Sequence, residues 1–194
     1  TLNFMSNIFA HHQTNPYPDH PQALERAANV KLLVLDVDGV LTNGQVWIGA
    51  DGKESLKAFD IQDGLGIKLL QQCGIETAII TGRNSKMALS RCEELGIEHV
   101  FMGVENKAIA LSELLKRTAH TAADCAVMGD DWPDLPMMKQ AGLRVCPAQG
   151  HEAVREFAHF VTSKAGGYGA VRELCDLILK AQNRYEALLT QARN

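Results

Sequence analysis

Short apolar runs recur along the chain and alternate with longer stretches of helical periodicity. The runs lie at 31–35, 76–80, 99–102, 125–128 and 143–145. Such mostly continuous apolar blocks are typical of strands that are buried on both faces. The helical stretches cover about 22–29, 64–73, 84–95, 106–118, 133–140 and 150–157, and a final helix spans 170 to about 189. This alternation predicts an α/β fold, a doubly wound (Rossmann-like) parallel sheet with helices on both faces.

One segment departs from this alternation directly after the first strand. Residues 44–59 contain two strand-like runs on either side of an Asp-Gly pair at Asp51 and Gly52. Asp-Gly between two such runs is a strong signal for a β-hairpin. We therefore expect a hairpin at 44–59 that projects over the carboxyl edge of the sheet.

The 194 residues suffice for one domain, and the 46 % apolar and 6 % aromatic contents are ordinary for a globular protein. Residues 1–22 are polar and lack periodicity, which predicts a flexible N-terminal arm, although their histidines leave a metal-binding tail as an alternative. Residues 23–194 are expected to form a single domain, and no linker long enough to separate a second one is present.

Charge and cysteine spacing narrow the class of protein further. The formal net charge is −4 without a long run of one sign, which argues against a nucleic-acid or anionic-membrane partner. No apolar run reaches the roughly 18 residues of a membrane span, and the N-terminus does not resemble a signal peptide. The five cysteines stand singly without a C-x-x-C pair, which favours reduced thiols in a cytoplasmic protein.

Polar side chains follow four of the five predicted sheet strands or open the helix after them. They are Asp36 and Asp38 after the first strand, Thr81 to Arg83 after the second, Lys107 at the helix after the third, and Asp130, Asp131 and Asp134 after the fourth. Ligands of open α/β sheets bind outside the carboxyl ends of the strands. We therefore expect these side chains to share one site.

The chemistry of this set is that of phosphoryl transfer. Clustered carboxylates repel each other, and Mg²⁺, a hard cation with oxygen ligands, relieves that repulsion. Lys107 and Thr81 add a positive charge and a hydroxyl donor for a phosphoryl group. One Asp beside the metal can attack phosphorus, and an acid two residues later can protonate the leaving alcohol and activate water. Each motif alone is also explained by a helix cap, a turn or a solvated lysine, and only their joint occurrence favours a site.

These residues resemble the four motifs of the haloacid-dehalogenase superfamily of phosphotransferases. Residues 36–42 (DVDGVLT) resemble the first motif, Thr81 the second, Lys107 the third, and residues 129–134 (GDDWPD) the fourth. An acid at Asp38 is the pattern of the phosphatases in this superfamily, because its dehalogenases lack that acid.

The resemblance implies a role for each motif residue. Asp36 would be the nucleophile and a metal ligand, while Asp38 would be the general acid and base and would bind the metal through its backbone carbonyl. The remaining implied roles are phosphoryl binding by Thr81 and Lys107, completion of the Mg²⁺ site by Asp130, and support of the metal loop by Asp131 and Asp134.

No cap domain is expected above this site. In this superfamily a cap is inserted between the first and second motifs or between the second and third. Thr81 and Lys107 are 26 residues apart, and the only extra element between Asp38 and Thr81 is the hairpin. An open site of this kind would draw its specificity from neighbouring subunits.

Within the capless members, residues 57–64 (KAFDIQDG) and 165–173 (AGGYGAVRE) resemble the 3-deoxy-D-manno-octulosonate 8-phosphate phosphatases. The resemblance runs from about 24 to 182. It implies a homotetramer formed through the hairpin, a Gly-rich tail segment at 164–170 that can reach an adjacent site, and a role in lipopolysaccharide biosynthesis. The implied substrate contacts are Asp38, Asp60, Ile61, Gln62, Asp63, Gly64, Lys68, Arg83, Arg91 and Lys107. Gln62 departs from the Arg that is common at its position, so that it is expected to contribute only its backbone.

Three functions are compatible with these motifs. The first is hydrolysis of the eight-carbon octulosonate 8-phosphate, and the second is hydrolysis of a nine-carbon sialic-acid-type sugar phosphate. The third is a phosphoacceptor signalling module, which also gathers acids, a Thr and a Lys around Mg²⁺ but places its phosphorylated Asp after the third strand. For the 164–170 segment, a mobile lid and a flexible turn are the two alternatives.

Overall fold

A central strand of the sheet ends directly before Asp36, and the other strands and the helices are arranged around this strand. The computed structural model describes residues 20–194, so that most of the expected N-terminal arm lies outside the described part. The strands are β1 (Leu32–Leu35), β2 (Trp47–Ile48), β3 (Glu54–Leu56), β4 (Glu76–Ile80), β5 (His99–Phe101), β6 (Cys125–Met128), β7 (Leu143–Cys146) and β8 (Phe160–Val161). The helices are α1 (Pro21–Ala27), α2 (Ile61–Gln72), α3 (Lys86–Leu95), α4 (Lys107–Thr118), α5 (Leu135–Met138), α6 (Glu152–Phe157), α7 (Ala170–Ala181) and α8 (Tyr185–Arg193).

Six strands form one parallel sheet in the order β5-β4-β1-β6-β7-β8, as the alternation predicts. The chain builds outward from β1 through β4 to β5 and then crosses to β6 on the other side of β1. The carboxyl ends of β1 and β6 therefore flank the point at which the strand order reverses, where open α/β sheets bind ligands. The short strand β8 at the sheet edge was not predicted.

Two apolar layers cover the sheet because successive strand residues point to opposite faces. On one face Leu33 and Leu35 pack with α1, α2, α3 and α7. On the other face Leu32 and Val34 pack with α4, α5 and α6. Helices on both faces confirm the doubly wound architecture and bury β1 completely, so that the loop after β1 rests on a rigid base.

The predicted C-terminal helix is divided into α7 and α8. The break lies at Gln182 to Arg184, where Asn183 adopts a left-handed φ of 56°. Seven residues of α7 are buried, whereas none of α8 is. The Gly-rich segment 164–170 is thus a connection between β8 and a core helix, and removing everything after it would remove part of the core.

The hairpin stands apart from the sheet. Strands β2 and β3 pair antiparallel, with Trp47 opposite Leu56, and their residues are exposed apart from the half-buried Glu54. The 26-residue interval between Thr81 and Lys107 holds only α3, β5 and their loops, so that the described part has no inserted cap. Within residues 20–194, every helix is too short or too polar to cross a bilayer.

Candidate active site

Asp36 follows β1 directly, and its side chain is buried at the carboxyl edge of the sheet. Its amide donates to the carbonyl of Met128 in β6 at 3.1 Å, which extends the ladder between the two strands. The three amides of residues 40–42 then converge on the carbonyl of Val37 in a tight turn. Gly39 has a φ of +85°, and a Cβ there would lie 2.0 Å from Asp130 Oδ2, so that glycine allows the two acidic loops to approach.

The loop after β6 is organised by Asp134, which is buried. Its Oδ2 accepts the amides of Asp130 at 2.9 Å and Asp131 at 3.3 Å, and its Oδ1 lies 2.6 Å from Lys107 Nζ. The Asp131 carboxylate accepts the amide of Trp132 at 2.8 Å and caps the following turn. Both acids thus occupy positions from which they shape the loop that carries Asp130.

Three carboxylates meet between β1 and β6. Ligand oxygens of Asp36, Asp130 and Asp134 all lie within 4.8 Å of one another. Burial, followed by the repulsion of Asp134, raises the pKa of Asp36 to about 6 although Lys107 opposes the shift. Burial, followed by the repulsion of Asp134 and Asp36, raises the pKa of Asp130 to about 7. The metal-free site therefore disfavours full ionisation at neutral pH.

A divalent cation fits this arrangement. Asp36 Oδ1 is buried and has no hydrogen bond of good geometry, and its contact is an ion pair with Lys107 Nζ at 3.0 Å. One cation beside three carboxylates leaves negative charge in a buried site, which is costly. A set of carboxylate oxygens is what Mg²⁺ prefers, and its charge would offset the mutual repulsion. Asp36 and Asp130 are therefore the residues that would hold the ion. The side chain of Asp38 points elsewhere, which leaves its backbone carbonyl as the possible ligand.

Lys107 is the first residue of α4, and Asn106 caps that helix. The Lys107 side chain is buried, with Nζ 3.0 Å from Asp36 Oδ1. Burial alone would lower the pKa of Lys107, but the charges of Asp36 and Asp134 outweigh it and raise the pKa, so that the amine stays protonated. Thr81 follows β4 directly, is buried, and donates its amide to the carbonyl of Phe101 at 2.9 Å.

The Asp38 carboxylate is bound by two basic side chains. Its Oδ1 pairs closely with Lys57 Nζ, and its Oδ2 lies 3.6 Å from Arg83 Nε. Glu54 of β3 joins the same network, because its Oε1 lies 2.9 Å from Lys57 Nζ and 3.6 Å from an Arg83 terminal nitrogen. Asp38 and Arg83 are residues that the sequence predicts for the site, whereas Glu54 and Lys57 were not predicted. The one hint in the sequence is that Lys57 begins the segment 57–64 (KAFDIQDG), which resembles the octulosonate phosphatases.

Comparison with known proteins agrees with this geometry. Residues 103–174, which include Lys107 and the loop after β6, match the family model of haloacid dehalogenase-like hydrolases. The 3-deoxy-D-manno-octulosonate 8-phosphate phosphatase of Salmonella typhimurium is 46 % identical over 169 residues, which are 87 % of this chain and 89 % of that protein. The chain belongs to this phosphatase family.

Solved structures of the octulosonate phosphatase family share the fold. The Moraxella catarrhalis enzyme, in complex with magnesium ion, phosphate ion and KDO, is 44 % identical with a TM-score of 0.85 over 88 % of this chain and 98 % of that one. The cobalt-bound enzyme of Haemophilus influenzae is 38 % identical with a TM-score of 0.83 over 86 % of this chain and 97 % of that one.

The substrate contacts implied by the family lie mainly at the start of α2. Asp60 caps this helix, and its Oδ1 accepts the amide of Gln62 at 2.6 Å. Ile61, Gln62 and Lys68 are exposed on α2, whereas Asp63 is buried. Asp63 Oδ1 accepts the amide of Arg172 at 2.7 Å, which ties α2 to α7. Burial raises the pKa of Asp63 to about 6, and the geometry gives this side chain a role in packing.

Arg91 reaches the same helix start from α3. One terminal nitrogen donates to the carbonyl of Asp60 at 3.2 Å, and the other pairs with Glu94 at 2.8 Å. A Cβ on Gly64 would lie 2.3 Å from the guanidinium, so that glycine makes room for this contact. Arg91 therefore fastens α3 to the first turn of α2, and its contact with a substrate stays a prediction.

The 164–170 segment packs against the loop that carries the first motif. Gln149 bridges the two, because it donates to the carbonyl of Gly39 at 2.6 Å and accepts the amide of Gly166 at 2.8 Å. The amide of Gly167 donates to the carbonyl of Val40 at 3.1 Å. Tyr168 remains exposed at this edge. The segment thus borders the site of its own chain, and any lid movement would have to break these hydrogen bonds.

Proposed function

We propose that this chain is a Mg²⁺-dependent phosphatase that hydrolyses 3-deoxy-D-manno-octulosonate 8-phosphate to 3-deoxy-D-manno-octulosonate and phosphate. The observation that carries the proposal is the buried Asp36 beside Asp130 and Lys107 at the carboxyl ends of β1 and β6. Its 46 % identical relatives are named for this activity, which gives the substrate. The match of residues 103–174 to a hydrolase family also argues against a signalling module.

The reaction takes place in two steps on Asp36. In the first step, a carboxylate oxygen of Asp36 attacks phosphorus, the bond from phosphorus to the sugar oxygen breaks, and Asp38 gives a proton to the leaving alcohol. In the second step, Asp38 takes a proton from water, which attacks phosphorus and releases phosphate from Asp36. Lys107 and Thr81 hold the phosphoryl oxygens. Asp36, Asp130 and the backbone carbonyl of Asp38 would hold Mg²⁺, whose charge stabilises the transferring group.

A sugar-acid substrate suits the basic groups around Asp38. The substrate carries a phosphate at one end and a carboxylate at the other, and Arg binds both kinds of group well. Arg83 is about half exposed beside Asp38, so that it is available to a ligand. Lys68 on α2 adds a second exposed cation. A nine-carbon acid phosphate offers the same two groups and is the alternative substrate.

Phosphate release from a panel of sugar-acid phosphates tests the function. We expect kcat/KM for octulosonate 8-phosphate to exceed that for nine-carbon acid phosphates by at least about tenfold, a difference of about 1.4 kcal/mol in transition-state stabilisation. The same panel run with Asp36→Asn controls for contaminating phosphatases. A preference for a nine-carbon acid phosphate would make that compound the substrate. The absence of phosphate release from every sugar-acid phosphate in the panel would contradict the proposed phosphatase function.

We further propose that the chain assembles as a homotetramer through its hairpin. An isolated two-stranded hairpin is marginally stable in water, yet this one exposes large apolar side chains. The exposed fractions are 56 % for Trp47, 60 % for Ile48 and 62 % for Leu56. Neighbouring hairpins that cover these side chains would explain both features and would complete a site that has no cap.

Light scattering of the purified chain is expected to give the mass of a tetramer. The double change of Trp47 and Ile48 to Lys should dissociate it, because the charges would be buried without partners. Ile109→Lys is the matched control, since Ile109 is 66 % exposed and lies on α4, outside the hairpin. A monomeric unmodified chain would contradict the proposal.

We place the protein in the cytoplasm as part of lipopolysaccharide biosynthesis. All five cysteines are free, and four of them are buried. Reduced thiols of this kind are typical of proteins in a reducing compartment. The biosynthetic role follows from the proposed product, an acid sugar of the lipopolysaccharide inner core.

A further inference from the structure

Lys57 is a buried lysine that no motif of the reaction includes. Its side chain is 0 % exposed, although it follows a hairpin whose other side chains are largely in solvent. A buried ammonium group is costly unless carboxylates pair with it. Here two carboxylates do so, Asp38 through Oδ1 and Glu54 through Oε1 at 2.9 Å. Lys57 is therefore bound to the site by two ion pairs and helps to hold the Asp38 carboxylate in place.

The two oxygens of Asp38 are held unequally. Oδ1 is in close contact with the covered Lys57, whereas Oδ2 lies 3.6 Å from Arg83, whose side chain is 49 % exposed. A buried pair restricts the carboxylate far more than a loose contact with a solvated arginine does. Oδ2 is consequently the oxygen that remains available to a ligand.

We propose that Lys57, held in place by Glu54, is a positioning residue that fixes Oδ1 of Asp38 and thereby presents Oδ2 as the proton-exchanging atom. The inference rests on the proposed phosphatase function. In the first step the proton on Oδ2 moves to the sugar oxygen as its bond to phosphorus breaks. In the second step Oδ2 takes a proton from the water whose oxygen attacks phosphorus, and the Asp36 carboxylate leaves.

This arrangement links the hairpin to the chemistry. Glu54 belongs to β3, and Lys57 directly follows that strand. Both residues lie on the returning half of the hairpin, so that the closure of the hairpin brings Glu54 and Lys57 back to Asp38. The element proposed to join subunits would therefore also orient the general acid.

The test compares two leaving groups in the first turnover. A sugar alcohol needs a proton to leave, whereas p-nitrophenolate departs without one, so that general acid catalysis matters only for the former. We expect Lys57→Met to slow alcohol release from octulosonate 8-phosphate by about 10- to 100-fold in single-turnover experiments. Release of p-nitrophenolate from p-nitrophenyl phosphate should slow by less than about threefold.

Three further variants control the experiment. Lys57→Arg keeps the charge and should recover most of the lost rate. Lys57→Gln keeps a hydrogen-bond donor and covers the case in which Lys57→Met does not fold; it should show the same selective loss. Lys53→Met removes an exposed lysine of the same hairpin and should leave both rates unchanged.

Equal losses on both substrates, or no loss on either, would overturn the proposal. These results are distinct from a failure of the proposed function. If the proposed function were wrong, the unmodified enzyme itself would release no alcohol from octulosonate 8-phosphate.

Discussion

Asp36→Asn is expected to lower turnover by at least about 10⁴-fold, the largest loss that any single substitution in this chain should cause. The neutral amide cannot attack phosphorus. Asp130 and Asp134 share the cluster with Asp36, but Asp134 is engaged with Lys107 and with two backbone amides, and Asp130 is proposed to hold the metal. Steady-state phosphate release with Mg²⁺ present measures the effect.

The matched control is Asp131→Asn, in the same group of acids. The Asp131 side chain is exposed and caps the turn after β6, so that its loss should cost less than about tenfold. Asp36→Asn also removes one of the repelling buried carboxylates, and we expect the variant to fold normally. Residual activity close to that of the unmodified enzyme would rule out Asp36 as the nucleophile.

Chelation of the metal is expected to have the second largest effect. In EDTA the activity should fall below about 1 %, because three clustered carboxylates would then repel the phosphate that they otherwise help to bind. Excess Mg²⁺ should restore it. Full activity in the chelator would refute the metal site.

The pH dependence of Mg²⁺ binding gives a readout that is independent of activity. The pKa values of about 6 for Asp36 and about 7 for Asp130 lie above the usual value of Asp in the unfolded chain. A raised pKa in the folded state contributes stability at low pH that is lost as the pH rises through 6 to 7. Without metal, these two groups therefore destabilise the fold at pH 8.

Mg²⁺ binds only the ionised carboxylates, so that it competes with these protons. We expect Mg²⁺ to raise the Tm clearly at pH 8 and much less at pH 5.5. In Asp130→Asn the rise at pH 8 should be largely lost. An equal rise at both pH values, or an unchanged rise in the variant, would contradict the assignment of the cluster.

The sheet and its catalytic edge were predictable because both depend on local sequence. A strand buried on both faces must be apolar throughout, as at Leu32–Leu35, and an acid directly after it must lie at the strand end. Since all six strands of the main sheet are parallel, their carboxyl ends meet at one edge, where Asp36, Thr81, Lys107 and Asp130 lie. The positions of the four motif residues followed from these two constraints.

Features that depend on distant contacts were not predictable in this way. The pairing of Lys57 with Asp38 is set by the closure of the hairpin, and a lysine in an amphipathic segment looks like an ordinary solvated residue. The contact of Arg91 with the start of α2 was likewise not predicted, and its contact with a substrate stays a prediction. Asp63 similarly binds the amide of Arg172, which is 109 residues away in sequence.

Two errors concern elements near the C-terminal end. The strand β8 has only two residues, which is too short for a periodic signal, and its pairing with β7 creates it. The break between α7 and α8 depends on a left-handed Asn183, a conformation that Asn tolerates but does not require. Neither feature could be read from the hydrophobic pattern.

The most direct test of the account is to locate the phosphoryl group during turnover. The enzyme would be mixed with Mg²⁺ and octulosonate 8-phosphate, stopped in acid within the first turnover, digested, and mapped by mass spectrometry. We expect an acid-stable phosphate on the peptide that contains Asp36, and none on the same peptide from Asp36→Asn. Phosphate release with normal kinetics but with the covalent phosphate on another residue would contradict it.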